Sequence, residues 1–258
     1  MVSSVIRYFL RTRRACATLL LVLLFVPLDL FAQGGPPLVT DDPGTPGDGK
    51  WEINLATLGS HTLRRWDVDV FDADINYGVG DHIQLKADVP WAAAHVAGQG
   101  WRSGLGAANL GVKWRFVDQD ESGFDMSTYP QYLSAWSSGA KRRGVASNDA
   151  QFYLPVEFAK TLGGYEFVAE AGRNFVEHES DQSEAGVVAA HDCGGEVECL
   201  AEVHRTWSPH DNQTLLNLGL HWKLSERSIL LASAGREFGT ASAERQRFVF
   251  YFGVQLLR

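Results

Sequence analysis

Charged and amide side chains recur at every second position over long stretches of this sequence. Within residues 67–90, DVDVFDADINYGVGDHIQLKADVP, they alternate with aliphatic side chains on both sides of a glycine-rich turn. Because successive side chains of a β-strand point to opposite faces, this period of two predicts strands with one polar and one apolar face. Fixed charges along a wet face could select solutes by charge. The candidate solute-contacting residues are Asp72, Asp74, Asn76, Lys86, Asp88, Lys113, Arg115, Glu157, Glu170, Glu202, His204, Asn217 and His221. Each of them could also serve only as a structural ion-pair partner.

Two cysteines, Cys193 and Cys199, lie close together in the segment CGGEVEC. In an oxidising compartment this spacing favours a disulfide that closes a hairpin, with two free thiols as the alternative. A metal site that also used His191, Asp192 and His204 is a weaker alternative, because the disulfide explains the segment more simply. We therefore predict neither a metal site nor a cofactor.

The first 32 residues resemble a secretory signal peptide, with a basic start, an apolar stretch and a small-residue end at Ala32. Removing them takes away four Arg and one Asp, which moves the formal net charge from −8 to −11. An acidic exported chain argues against binding to nucleic acid. We predict three regions: a signal peptide at 1–32, a Pro/Gly-rich periplasmic lead-in at 33–49, and a β-domain at 50–258.

The β-domain contains about twelve segments with strand character, and short and longer connections mostly alternate between them. This connectivity is typical of a meander that runs up and down. The predicted strands span residues 50–60, 65–78, 80–90, 104–117, 124–136, 148–161, 163–176, 184–192, 195–207, 212–224, 226–236 and 245–257.

Two solvents are compatible with this alternation, because a soluble barrel with an apolar interior gives the same period as a membrane barrel. Three features favour the membrane. The segments are about 9–13 residues long, as a tilted membrane strand requires. Charges of both signs lie in mid-strand on the polar face. Aromatic side chains with a polar edge gather near the two strand ends, as in the interfacial girdles of membrane barrels; they are Trp51, Tyr77, Trp114, Tyr165 and Trp222 at one end and Trp66, Trp91, Trp136 and Trp207 at the other. The fold class predicted is an all-β, transmembrane, up-and-down antiparallel β-barrel of about 12 strands.

Local irregularities are also predicted from the pattern. Adjacent apolar residues at Val70-Phe71 reverse the parity of the acids and indicate a β-bulge. Pro90 is expected to end a strand, whereas Pro130 and Pro155 lie inside predicted strands and weaken them.

Several motifs resemble a bacterial family, MetA-pathway of phenol degradation, whose members are often called transporters. They are LVTDDPGTP at 38–46, GKWEIN at 49–54, DINYGV at 74–79, QLK at 84–86, VPW at 89–91, NLGVKWRF at 109–116, NLGL at 217–220, GR at 235–236 and FYFGVQ at 250–255. The resemblance implies an outer-membrane β-barrel that passes small solutes, including hydrophobic or aromatic compounds. The segment 177–199 and the terminal Leu256-Leu257-Arg258 depart from the family pattern.

The function predicted is passive passage of small solutes across the outer membrane of a Gram-negative bacterium, without enzymatic activity. A barrel of about twelve strands is narrower than an open porin, so passage would be selective. The lead-in could lie across or inside the lumen as a plug. Lipopolysaccharide, touched by Lys141, Arg142 and Arg143, and the outer-membrane assembly machinery are expected partners.

Two other function classes stay open. A structural or adhesive barrel with a blocked lumen would have the same pattern. A lipid hydrolase embedded in the outer membrane is less favoured, because the histidines are scattered and no serine has a recognisable nucleophile setting. It would need a Ser and a His on the outer face at the same depth.

Overall fold

The computed structural model describes residues 35–209 and 211–258. The predicted signal peptide, residues 1–32, lies outside the described residues. Within them, no helix combines the length and the apolar character that crossing a membrane requires.

Antiparallel strands make up most of the described chain, with two short helices, α1 (Gln119–Ser122) and α2 (Ser138–Arg143). The strands are β1 (Trp51–His61), β2 (Arg65–Val79), β3 (Ile83–Val96), β4 (Arg102–Leu105), β5 (Ala108–Val117), β6 (Asp125–Thr128), β7 (Gln131–Ser134), β8 (Gln151–Leu162), β9 (Tyr165–Val176), β10 (Gln182–Gly194), β11 (Val197–Trp207), β12 (Asn212–Ser225), β13 (Ser228–Gly239) and β14 (Phe248–Leu257).

The sheet closes on itself because β1 pairs with β14 as well as with β2. Strands β4 and β5 both pair with β3 and together occupy one position in the wall. Strands β6 and β7 likewise share the position between β5 and β8. In the described chain the wall therefore has twelve positions, and the predicted twelve-stranded up-and-down barrel is confirmed.

Connections of different length separate the two ends of this barrel. Short turns such as 163–164, 195–196 and 226–227 lie at the end where β1 begins and β14 finishes. Longer connections, including 135–150, lie at the opposite end, which we call the long-loop end.

Burial along the strands is the reverse of that in a soluble barrel. Leu218 and Phe252 are 69% and 58% exposed on the outer wall, whereas Lys113 and Glu157 are 2% and 0% exposed inside. Leucine and phenylalanine on the outside with ions on the inside match a wall that faces hydrocarbon. Large outward side chains in mid-strand are Leu110, Val112, Val156, Val187, Val203 and Leu216.

The predicted bulge is confirmed. The pairing of β2 with β3 shifts between Asp69 and Phe71, so that Val70 and Phe71 both face outward at 51% and 53% exposure. The inward acids change parity at this point, from Asp69 to Asp72.

The three prolines affect the wall differently. The prediction that Pro90 ends a strand is wrong, because β3 continues through it to Val96 and the Pro90 carbonyl accepts a hydrogen bond from Gly106 N at 2.9 Å. Pro130 does interrupt its strand and separates β6 from β7. Pro155 is accommodated within β8, where its carbonyl accepts a hydrogen bond from Thr128 Oγ1 at 2.8 Å.

Candidate functional site

The thirteen candidate residues all lie on the inward-facing side of the wall. Ten are buried, and Lys86, Asp88 and Arg115 are half-buried. These side chains line the lumen with carboxylates, amides and a few cations. Their contact with a passing solute stays a prediction.

The described part of the lead-in, residues 35–49, contacts side chains of this polar lining. Glu202 accepts hydrogen bonds from Thr40 N at 2.6 Å and from Val39 N at 3.1 Å. Glu170 accepts one from Asp41 N at 3.2 Å. Backbone donors that would otherwise be unpaired inside the barrel are thus satisfied by carboxylates of the wall.

Further contacts fix the start of the lead-in. The Pro36 carbonyl lies 3.1 Å from His221 Nε2, and the Pro37 carbonyl accepts a hydrogen bond from Ser233 Oγ at 2.7 Å. Leu38 packs in a cluster of inward apolar side chains, formed by Ala159, Val168, Val188, Ala190 and Leu200. The lead-in therefore has both polar and apolar complements on the wall.

The wall is shaped to receive the lead-in at Gly186 on β10. A Cβ atom at this position would lie 1.9 Å from Thr40 Oγ1, so only glycine leaves room for the segment. Gly78 on β2 has the same role for the end of the lead-in, since a Cβ atom at this position would lie 1.9 Å from the Gly47 carbonyl oxygen.

Lys113 is the centre of the charged contacts. Its Nζ lies 3.0 Å from Asp41 Oδ1 and 3.6 Å from Glu157 Oε2, and it also donates to the Asp42 carbonyl. The ammonium lies 4.6 Å from the centroid of the Tyr129 ring, within range of a cation–π interaction. A buried ammonium requires such partners, because its desolvation is costly. Lys113 thus links the wall to the lead-in.

Opposite effects act on the two lead-in carboxyls. Burial raises the pKa of Asp41, but the Lys113 and Lys86 ammonium groups outweigh it and hold this pKa below its ordinary value. Burial raises the pKa of Asp42 to about 7, and the nearby Asp41 carboxylate adds to the rise while Lys113 opposes it.

A second network joins the inward side chains of neighbouring strands. Asp74 Oδ1 lies 3.3 Å from Lys86 Nζ and accepts a hydrogen bond from Asn76 Nδ2 at 3.2 Å. Gln84 Nε2 donates to Asn76 Oδ1 at 2.8 Å and to the Tyr129 hydroxyl at 3.1 Å. These contacts join the inward side chains of β2 and β3 to one another and to Tyr129.

Two other predicted residues lie close to carboxylates. Arg115 Nη2 lies 3.2 Å from Asp118 Oδ2 in the connection after β5, and His204 Nε2 lies 3.6 Å from Glu184 Oε2 of β10 without a hydrogen bond. These side chains therefore line the lumen and also contact other residues of the protein.

Tyr129 and Asp41 are central residues that the sequence reasoning missed. Tyr129 is fully buried and contacts both networks. Its signal was present, because Asp125, Ser127 and Tyr129 alternate on the inward face just before Pro130. Asp41 had no such signal, since the lead-in lacks periodicity.

A cavity of about 310 Å³ lies between the lead-in and the long-loop end. Residues 37–39 of the lead-in border it from one side, and Val145 of the connection 135–150 borders it from the other. This connection folds toward the lumen, because Ala140 of α2 and Val145 pack against Ala92 and Ala94 of β3. The other inward side chains that line the cavity include Leu58, Ser60, Asp67, Asp69, Asn217, Ser233 and Tyr251.

The cysteine segment lies in a short turn at the opposite end. Cys193 and Cys199 are joined in a disulfide with their Cα atoms 5.9 Å apart. Throughout residues 35–209 and 211–258, no group of three or more His, Cys, Asp or Glu side chains has the arrangement of a metal site.

Solved structures with the same architecture are outer-membrane proteins. The COG4313 outer membrane channel from Pseudomonas putida F1 superposes with a TM-score of 0.68 at 11% identity, over 88% of this chain and all of that one. The chain has an outer-membrane β-barrel fold. The KdgM porin matches with a TM-score of 0.56 at 10% identity, over 80% of this chain and 98% of that one. The NanC porin matches with a TM-score of 0.55 at 7% identity, over 79% and 98% of the two chains. Neither a protein-family model nor a curated protein matches the sequence.

Proposed function

We propose that this chain forms a channel in the outer membrane of a Gram-negative bacterium, through which small solutes pass without energy input. The observation that carries the proposal is the inversion of polarity, with buried ions such as Lys113 and Glu157 inside a wall of exposed Leu and Phe. Charged side chains along a hydrated path can select the solutes that pass, whereas a barrel that serves only as a membrane anchor requires no charged lining. Similarity of fold to a solved channel and to two porins supports the same function.

The proposed channel is narrow and selective. A wall of twelve strands encloses less space than the 16–18 strands of open porins, and the lead-in occupies part of it. Because carboxylates outnumber ammonium and guanidinium groups along the lining, cations and neutral solutes are favoured over anions. The resemblance to the MetA-pathway of phenol degradation family supports hydrophobic or aromatic solutes as the class transported.

Single-channel recording in planar bilayers tests this function. We expect the unaltered chain to give small, discrete current steps, and a variant that lacks residues 33–48 to give larger ones. A variant in which the same residues are replaced by an equally long Gly-Ser segment controls for chain volume and should also exceed the unaltered chain, because it lacks the contacts of Thr40 and Asp41. Absence of current from folded protein in all three would favour a structural or adhesive barrel.

An enzymatic function has little support on the outer wall. The outward His191 has its Nδ1 atom 3.1 Å from the Gly164 carbonyl oxygen, and its ring stacks on Tyr165 at 4.3 Å between centroids. Neither neighbour is a serine. The inward His221 has its Nδ1 atom 3.0 Å from Glu198 Oε2, and the inward His204 has its Nε2 atom 3.6 Å from Glu184 Oε2. We therefore favour a non-enzymatic channel over a lipid hydrolase.

Lipopolysaccharide and the assembly machinery are the proposed macromolecular partners. Lys141, Arg142 and Arg143 form the last turn of α2 at the long-loop end, where lipopolysaccharide would be met. Replacing all three with Gln should weaken binding of the barrel to lipopolysaccharide; unchanged binding would remove this partner from the proposal.

A further inference from the structure

The cavity between the lead-in and Val145 differs in character from the rest of the lumen. Most of its lining side chains are apolar, among them Leu38, Leu58, Val145 and Tyr251. At about 310 Å³ it lies at the lower end of the range for small-molecule sites, which begins near 300 Å³. An apolar site of this size suits a solute with a compact hydrocarbon or aromatic body.

The charges on the lining of the cavity are of one sign. Of the described residues that line it, Asp67 and Asp69 are the charged ones. Asp67 is neutralised by Arg65, whose Nη2 lies 2.5 Å from Asp67 Oδ1. Asp69 makes no hydrogen bond or ion pair with any described side chain, and the charges that act on it come from Asp67 and Asp88, both carboxylates. Asp69 is therefore a carboxyl of this lining that has no cationic partner among the described residues.

The ring of Tyr251 on the lining complements a cation. Tyr251 is 9% exposed and offers an aromatic ring, which attracts cations through its π face.

We propose that this cavity is a binding site for a small organic ammonium ion with an apolar body. Its ammonium group would pair with Asp69 and lie near the Tyr251 ring, while its body contacts Leu38 and Leu58. The role of this site in transport rests on the proposed channel function, and the proposal names the class of solute that the cavity binds. Organic anions are disfavoured, since the described residues of the lining include no cation.

Binding can be measured without any current, by titration calorimetry on the detergent-solubilised chain with empty micelles as the blank. The probes are 2-phenylethylammonium, the neutral 2-phenylethanol and the anionic phenylacetate, which share a phenyl body. We expect the ammonium ion to bind at least about tenfold more tightly than the alcohol, as an interaction with a charged group implies, and phenylacetate to bind least. Equal affinity for the three probes would overturn the proposal without recourse to a variant.

Variants then locate the site. Asp69→Asn should weaken binding of 2-phenylethylammonium by at least about tenfold, and Tyr251→Leu should weaken it less. Glu52→Gln is the matched control, because Glu52 is an acid of the same lumen that does not line the cavity, and it should leave the affinity unchanged. A folded Asp69→Asn variant with unaltered affinity would place the ammonium ion elsewhere and refute the assignment.

The two proposals fail in distinguishable ways. Binding of the ammonium ion by a barrel that passes no current would leave the site standing and remove the channel function. Current steps from a barrel that does not bind the ammonium ion would leave the channel and remove the site.

Discussion

Replacing Lys113 with methionine is the substitution that most directly removes contacts between the wall and the lead-in. Methionine keeps much of the length and apolar stem of lysine but removes the ammonium that contacts Asp41, Glu157 and the Asp42 carbonyl. Because Lys113 is 2% exposed, the carboxylates left behind are poorly hydrated. Removing one partner of a buried ion pair costs about 3–5 kcal/mol.

This cost can be relieved if the lead-in leaves its place, since Asp41 and Asp42 then return to water. We therefore expect Lys113→Met to lower the free energy of unfolding by no more than about 3–5 kcal/mol and to increase single-channel conductance toward that of the variant without residues 33–48. Equilibrium urea unfolding in lipid vesicles measures the first effect, and planar bilayers measure the second.

Lys86→Met is the matched control. Lys86 is also a lysine of the lumen and helps to lower the pKa of Asp41, but its ion pair is with Asp74 of the wall at 3.3 Å. Its replacement should destabilise the barrel and increase conductance less than Lys113→Met does, because Lys86 makes no hydrogen bond to the described lead-in residues. An Lys113→Met variant that is folded and conducts no more than the unaltered chain would refute the reasoning that this ammonium holds the lead-in in place.

Three further outcomes are expected. Gly186→Val should displace the lead-in and increase conductance, because a Cβ there would lie 1.9 Å from Thr40 Oγ1; unchanged conductance would contradict the described fit. Since the pKa of Asp42 is raised to about 7 from an ordinary 3.8, binding of the lead-in should be strongest at low pH and weaken as pH rises from about 4 to 7. Conductance should then rise over this range, and Asp42→Asn should reduce the pH dependence; a change of the opposite sign would show that another group dominates. Leu218→Arg, on the outer wall at 69% exposure, should destabilise the barrel in lipid by about 2–4 kcal/mol, and urea unfolding that shows no loss would argue against contact with hydrocarbon.

The wall of the barrel could be predicted from the sequence because strand periodicity is a local property. Alternation fixes which face each side chain occupies, so the inward positions of Asp74 and Glu157 and the outward positions of Leu110 and Phe252 follow once the solvent is chosen. The bulge at Val70 was visible for the same reason, as a change of parity within a few residues.

Contacts made by irregular segments could not be predicted in this way. The lead-in has no period, and its partners Glu170 and Glu202 lie more than a hundred residues away. The inward folding of α2 onto Ala92 and Ala94 likewise depends on long-range packing. The error at Pro90 has another cause. A proline ends a strand only if its missing N–H is needed for pairing, and at Pro90 the carbonyl of the proline itself accepts a hydrogen bond from Gly106 N.

The reversal potential of the variant without residues 33–48, measured in a planar bilayer across a KCl gradient, tests the central claim most directly. A hydrated lumen with an excess of inward carboxylates predicts open channels with a potential of the sign that cation selectivity gives. Folded protein that passes no current, or a potential of the sign that anion selectivity gives, would contradict the account.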